Sequence, residues 1–165
     1  CQTLEYVSKL NKSLLLLSKI DNSQFASVEK VCLNEILYRY LDDYQEVYDY
    51  KGITLDVHEK NTFNITMNGT LAVVLITNLL KNAFVHNIYK GKIQIEITSS
   101  NIRFGNTGKD EHLDEKHIFE RFYQGSKKEG STGLGLAIVD AICRQSQLSI
   151  QYQFVKGWHW FDISC

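Results

Sequence analysis

Along this chain the spacing of apolar residues switches repeatedly between the three-to-four step of a helix and the two-step of a strand. Val7, Leu10, Leu14 and Leu17 follow a 3-4-3 spacing, which predicts a helix over residues 4–20. A second helical window follows Ser27 and ends before Gly52, carrying Val28, Val31, Leu33, Ile36, Leu37, Tyr40, Leu41, Tyr44 and Val47. A third runs from about Gly69 to His86 and a fourth from Leu134 to Gln145. Between them the pattern alternates: Ile53, Leu55 and Val57, then Phe63 and Ile65, then Ile93–Ile97 and Ile102–Phe104. Leu148–Phe154 and Trp158–Ile163 close the chain as a hairpin turning at Lys156–Gly157. Such a mixture predicts an α+β fold, a two-layer α/β sandwich whose mixed sheet is covered on one face by three helices, with a short N-terminal helix besides.

The first helix admits two readings from periodicity alone. Its stripe is either the seam of a helical bundle or the buried face of an amphipathic helix lying on its own domain. The polar stretch 21–27, broken by Phe25, reads as a linker or an edge strand. A length of 165 residues holds one ordinary domain. The net charge of -1 argues against a large nucleic-acid footprint. No run approaches the roughly 20 apolar residues that span a bilayer. The chain starts at Cys1 instead of Met, which reads as a fragment of a longer protein. Cys1, Cys32, Cys143 and Cys165 show neither a C-x-x-C pair nor a His at ligand spacing, so buried or incidental thiols in a reducing compartment are expected. The N-x-[ST] matches at Asn11, Asn64 and Asn68 are most simply chance in a chain rich in Asn, Ser and Thr.

Chemistry concentrates in four places. Asn78 and Asn82 lie four apart in the third helix, which stacks their carboxamides on one face with His86 a turn further on. Leu71, Val74, Leu75, Leu79 and Ala83 form the apolar stripe of that helix. Amide oxygens are hard neutral ligands, suited to Mg²⁺ whose other partners are phosphate and water; the competing reading is two Asn that cap neighbouring loops. Gly130-Ser-Thr-Gly-Leu-Gly-Leu136 enters the fourth helix directly, so that backbone N–H groups at a helix N-terminus are open to an anion. It is not a P-loop, because G-x-x-x-x-G-K-[ST] occurs nowhere. Phe104-Gly-Asn-Thr-Gly108 is a strand running into a turn that presents an amide. Ile118-Phe-Glu-Arg-Phe-Tyr123 is an aromatic cluster in a polar stretch with Lys116, Lys127 and Lys128, the pattern of a lid.

In order and spacing these elements resemble the N box, first glycine box, F box and second glycine box of bacterial sensor histidine kinases, whose catalytic domains share the Bergerat-type ATP fold with type II topoisomerases, chaperones of the ninety-kilodalton heat-shock class and mismatch-repair ATPases. Leu14-Leu-Leu-Leu-Ser-Lys-Ile-Asp-Asn-Ser-Gln-Phe25 resembles the end of the second helix of the dimerisation and phosphoacceptor domain. The resemblance implies residues 1–22 as the tail of that helix with its linker, and 23–165 as the catalytic domain. It also implies ATP and Mg²⁺ as ligands, with Asn82 the principal metal ligand and Asn78 its partner. His86 would stack on adenine, and Asn106 stands where most members carry an Asp bonded to the adenine amino group. Gly108, Phe119, Arg121, Phe122, Lys127 and Lys128 would belong to the base pocket and lid, and Ser131, Thr132, Gly133, Leu134, Gly135 and Leu136 would line the phosphates. Further implied are a phosphoacceptor helix of the same or a partner subunit, a response regulator, a homodimeric parent, no nucleic acid, and a cytoplasmic location within an inner-membrane sensor.

This chain departs from the family pattern in three places. Val85 replaces a common phosphate-contacting Lys, Asn106 replaces the Asp, and Asp110 falls where a second Gly is usual. A weaker nucleotide site is the expectation, with Arg121, Lys127 or Lys128 as replacement cations. His58-Glu-Lys-Asn-Thr62 has the spelling of a phosphoacceptor box, but it closes an alternating run and is expected to be a solvated turn at a strand end. His112, His117 and His159 lack a following acid in a helical context, so the phosphoacceptor is expected upstream. Two rivals remain: another ATPase of the same fold, and a nucleotide-binding or dimerisation module without kinase chemistry.

Overall fold

The computed structural model describes residues 2–109, 113–123 and 133–165. Helix α1 spans Gln2–Asp21 and is the longest, not a short one. Strand β1 (Glu29–Cys32) leads directly into α2 (Leu33–Val47), and a single 3-10 turn at Asp49–Lys51 follows. Strands β2 (Thr54–Glu59) and β3 (Asn64–Met67) precede α3 (Gly69–Val85). Then come β4 (Lys92–Ile97), β5 (Asn101–Thr107), α4 (Gly135–Gln145), β6 (Ser149–Val155) and β7 (Trp158–Ser164).

The main sheet has the order β2-β4-β5-β7-β6. Among the described strands only β2 and β4 pair in parallel, so the sheet is mixed. Alternation sorts its faces. Ile93, Ile95, Ile97, Ile102, Phe104, Phe161 and Ile163 are buried under the helices. Arg103, Gly105 and Trp160 occupy the other face, where Trp160 lies across the bare Gly105 backbone and the Arg103 guanidinium stacks on its ring at 4.3 Å. Leu33, Leu37, Leu71, Leu75, Leu79, Ile138 and Ile142 close the core from the helix side. Leu17 and Ile20 of α1 belong to that same core, so the end of the first helix is packed on the rest of the chain.

The start of the second helix differs from the sequence expectation. Val28 and Val31 precede it, and residues 29–32 form a strand that pairs antiparallel with β3, Val31 opposite Ile65. A strand was favoured because β3 offers an open ladder there and Val31 is β-branched. Asn34 anchors the junction: its Oδ1 accepts from Phe63 N (2.8 Å) and its Nδ2 donates to Asn61 O (2.9 Å). The acceptor-box spelling is likewise resolved, since His58 lies inside strand β2 and is exposed instead of forming a turn. Asn68, one of the sequon matches, is the N-cap of α3, accepting from Leu71 N at 3.1 Å.

Candidate functional site

Helix α3 supplies one wall of the site. Asn78 and Asn82 are both partly buried on one stripe, bordering the apolar face that packs into the core. The Asn78 amide donates to Val74 O (2.8 Å), which holds its rotamer and leaves Oδ1 as an acceptor. A Cβ added at Gly135 would stand 3.5 Å from that Oδ1, so α4 begins beside the Asn78 carboxamide. The N-cap of α4, Leu134, offers no side-chain hydrogen bond. The N-terminus of α4 thus begins next to a carboxamide oxygen, and the N–H groups of a helix N-terminus are suited to an anion.

Asn106 is the site's other anchor. It sits in β5 between Ile93 and His159, on the helix-facing side of the sheet, and is 2% exposed. Its Nδ2 donates to Thr107 O (2.9 Å), but among the described residues its buried Oδ1 has no hydrogen-bond partner. An acceptor buried without a donor costs about 1–3 kcal/mol, so an arriving N–H donor would gain correspondingly. Gly108 follows: a Cβ there would lie 3.0 Å from His86 O and 3.2 Å from His159 Cδ2, so a side chain would crowd the strand end where it passes between α3 and β7. His86 is the C-cap of α3 and is partly buried.

Several supports were not anticipated from the sequence. His159, 6% exposed, engages Lys109 O through Nε2 (2.8 Å) and the Tyr152 hydroxyl through Nδ1 (2.7 Å). Because a carbonyl only accepts, Nε2 carries the proton, and in the neutral ring Nδ1 accepts from the Tyr152 O–H. Tyr152 Oη in turn accepts from Leu113 N (3.2 Å). This pair therefore holds both Lys109 and Leu113, on either side of residues 110–112. The alternation of β7 is the signal that marks His159, since it shares a face with Phe161 and Ile163. At the far end of α3 the buried Lys51 ammonium donates to the carbonyls of Phe84 (2.8 Å), Val85 (3.1 Å) and Asn87 (3.2 Å). It satisfies acceptors that the helix itself leaves open and places a cation at the negative end of the helix dipole. Nothing in its local sequence distinguishes Lys51 from a surface lysine.

The lid residues divide. Ile118 is buried, Phe119 packs edge-on to Phe161 with centroids 6.3 Å apart, and Phe122 is 55% exposed. Phe122 N donates to Gly133 O (2.8 Å), which brings the two described ends of the lid together. Gly133 has φ +74, and a Cβ there would lie 2.8 Å from the Phe122 backbone, so glycine is required twice over. Arg121 pairs with Asp21 at the end of α1 (2.9 Å), with both side chains half-exposed. Leu134 is buried and Leu136 partly so. Asp110, Lys127, Lys128, Ser131 and Thr132 lie outside the described residues. Gly135 thus lies beside Asn78, Gly108 beside His86 just after Asn106, and Gly133 against Phe122, whereas Arg121 is turned to α1.

Residues 67–159 match the family model described as histidine kinase-, DNA gyrase B-, and HSP90-like ATPase. Among similar proteins, the heme sensor protein HssS of Staphylococcus epidermidis (strain ATCC 12228) is 34% identical over 141 residues, covering 82% of this chain and 31% of that protein. HssS of Staphylococcus aureus (strain Newman) is 32% identical over 152 residues, covering 88% of this chain and 33% of its own length. The chain therefore spans about a third of the curated relatives it matches. The Acinetobacter baumannii histidine kinase AdeS superposes with a TM-score of 0.76 at 22% identity, over 97% of this chain and 78% of that one. A mycobacterial sensor histidine kinase, MprB, superposes with a TM-score of 0.69 at 18% identity, over 83% of this chain and 95% of that one.

Proposed function

Because this chain belongs to the histidine kinase-, DNA gyrase B-, and HSP90-like ATPases, we propose that it is the ATP-binding catalytic domain of a two-component sensor histidine kinase, passing the γ-phosphoryl group of ATP to a histidine on the phosphoacceptor helix of its parent protein. The observation that carries the reading is the buried Asn106 Oδ1 without a donor. An adenine amino group is a donor of the right kind, and Gly108 and His86 lie beside each other at the end of the strand that carries Asn106. The α4 N-terminus next to Asn78 is where the phosphates of such a nucleotide would lie.

Asn82, with Asn78, would hold Mg²⁺. These carboxamides suit a hard cation whose charge partners are phosphates, because the site adds no negative charge of its own. Among the described residues no group of three His, Cys, Asp or Glu side chains is placed to hold a metal. The ion would supply charge neutralisation at the transferring phosphoryl group. What the chain's own residues contribute is positioning: Asn106 orients the base, Asn78 and the α4 backbone orient the phosphates, and the Phe122–Gly133 contact draws the ends of the lid together. No described helix is long and apolar enough to cross a membrane; we place the domain on the cytoplasmic side of a membrane sensor, in a homodimeric parent that serves a response regulator.

Thermal unfolding with ADP or ATP, with and without Mg²⁺, tests this in the intact chain and in Asn82→Ala. Nucleotide at 100 times its Kd adds about 2.7 kcal/mol to the folded state. A Mg²⁺-dependent rise in melting temperature that Asn82→Ala abolishes is the expected result. Absence of any rise at millimolar nucleotide would transfer the chain to the non-kinase reading, a dimerisation module on an ATPase fold.

A further inference from the structure

Asn106 differs from a carboxylate in a way that bears on the base. An amide has an accepting end and a donating end, and turning the side chain exchanges them. With Oδ1 presented, the residue accepts from the 6-amino group of adenine; with Nδ2 presented, it donates to a 6-oxo group such as that of guanine. Thr107 O decides between the two. A carbonyl only accepts, so Nδ2 faces it at 2.9 Å, and Oδ1 is the end without a partner among the described residues.

The groups that hold Thr107 lie on the opposite face of β5 from the Asn106 side chain. On the β4 side the ladder stops at the pair of Ile93 with Asn106. Beyond it the Thr107 hydroxyl takes over, accepting from Lys92 N at 2.8 Å. Its one proton goes to Asn87 Oδ1 at 2.7 Å in preference to Lys92 O at 3.3 Å. Asn87 is 3% exposed; its Oδ1 also accepts from Ile88 N (2.8 Å), and its Nδ2 donates to Lys92 O (3.0 Å). A Cβ at Gly91 would run into both Asn87 Oδ1 and Thr107 Oγ1, so the close approach of these two groups needs a glycine there.

We propose that Asn87 and Thr107 set the base selectivity of the site: through Thr107 O they fix the Asn106 amide with its acceptor presented, so that a 6-amino purine is taken and a 6-oxo purine refused. Both are positioning residues that act through Asn106. The assignment rests on the ATP-binding reading given above. Loosening Thr107 frees the amide to turn, which weakens binding of adenine and strengthens binding of a 6-oxo base. A general loosening of the site weakens both.

Calorimetric titration of the intact chain in Mg²⁺ with ATP and with inosine triphosphate provides the test. Inosine triphosphate carries a 6-oxo group and a proton on N1, with nothing added at position 2. The parent should bind ATP about a hundredfold more tightly, because the oxo base sets two acceptors against each other. Asn87→Ala and Thr107→Val should each narrow that ratio about tenfold, raising the Kd of ATP and lowering that of inosine triphosphate. Thr107→Ser keeps the hydroxyl and should keep the ratio. Asn106→Asp has no amide to turn, so adding Thr107→Val to it should leave its ratio unchanged. Thr107 is only partly buried, and Thr107→Val carries the test if Asn87→Ala does not fold. The proposal fails if the parent binds the two triphosphates alike, if both Kd values rise by one factor in Thr107→Val, or if the shift in ratio persists in Asn106→Asp. A parent that binds neither triphosphate would bring down the ATP-binding reading and this assignment together. A parent that prefers ATP, with the same preference in Thr107→Val, brings down this assignment alone.

Discussion

On the ATP-binding reading, a single buried acceptor, Asn106 Oδ1, sets how this site treats adenine. Asn106 replaces a carboxylate with a neutral amide, and its own Nδ2 is spent on Thr107 O. Asn106→Asp should strengthen ATP binding by roughly tenfold, because an ionised acceptor makes the stronger hydrogen bond to an amino group. The same change should lower the stability of the empty chain, since it buries a carboxylate beside Ile93 and His159. Calorimetry and urea unfolding on the one variant measure the two effects, and a gain in both quantities would refute the account. Lys51 is the structural counterpart, invisible as such in the sequence. Lys51→Met should cost roughly 1–3 kcal/mol in urea unfolding, because the carbonyls of Phe84, Val85 and Asn87 lose a shared donor. A change within 0.5 kcal/mol, the usual range for surface positions, would show that solvent serves those carbonyls equally well.

Among the elements, the lid depends on how its two ends are tied. Phe122 has φ 67 although it is not glycine, and Gly133 has φ +74 directly opposite it. Both conformations are maintained by the bond from Phe122 N to Gly133 O. Gly133→Ala adds a left-handed alanine, at about 1–2 kcal/mol, and drives its Cβ into the Phe122 backbone. The expected outcome is faster proteolysis within residues 113–133 and weaker ATP binding, with the sheet unaffected by circular dichroism. Unchanged proteolysis would mean that the lid is held elsewhere. Tyr152→Phe addresses the other root of the lid. It removes only the hydroxyl that links His159 to Leu113 N, and should raise amide exchange at Leu113 without changing that of β5.

On the scale of the whole molecule, Cys143 reports whether the chain unfolds as one body. It lies 1% exposed on α4 within the shared core, and burial pushes its thiol up to about 12. Cys165 is exposed at the end of the chain. At pH 8 iodoacetamide should label Cys165 readily and Cys143 only when the core opens. Nucleotide at 100 times its Kd should then slow Cys143 labelling about a hundredfold if opening is global. A rate for Cys143 that ignores nucleotide would indicate a local opening of α4 instead.

The sequence on its own determined the α+β layering, the helix that bears Asn78 and Asn82, and the glycine entry to α4; it also marked a strand ahead of Asn106, but pairing with β4 and β7 carries that strand through Asn106 to Thr107 instead of leaving Asn106 in a turn. These are legible because period and glycine placement act over a few neighbouring residues, and local geometry then decides which side chains share a face. Only the tertiary structure decided that residues 29–32 pair with β3 instead of opening α2, that Lys51 closes the end of α3, and that Tyr152 and His159 grip the lid root. It also decided that Arg121 turns to Asp21. Each of these joins residues separated by tens of positions, 33 between Lys51 and Phe84 and 100 between Asp21 and Arg121. A hydrogen bond or ion pair of that span depends on how the layers pack, and packing is a property of the assembled core, not of any segment within it.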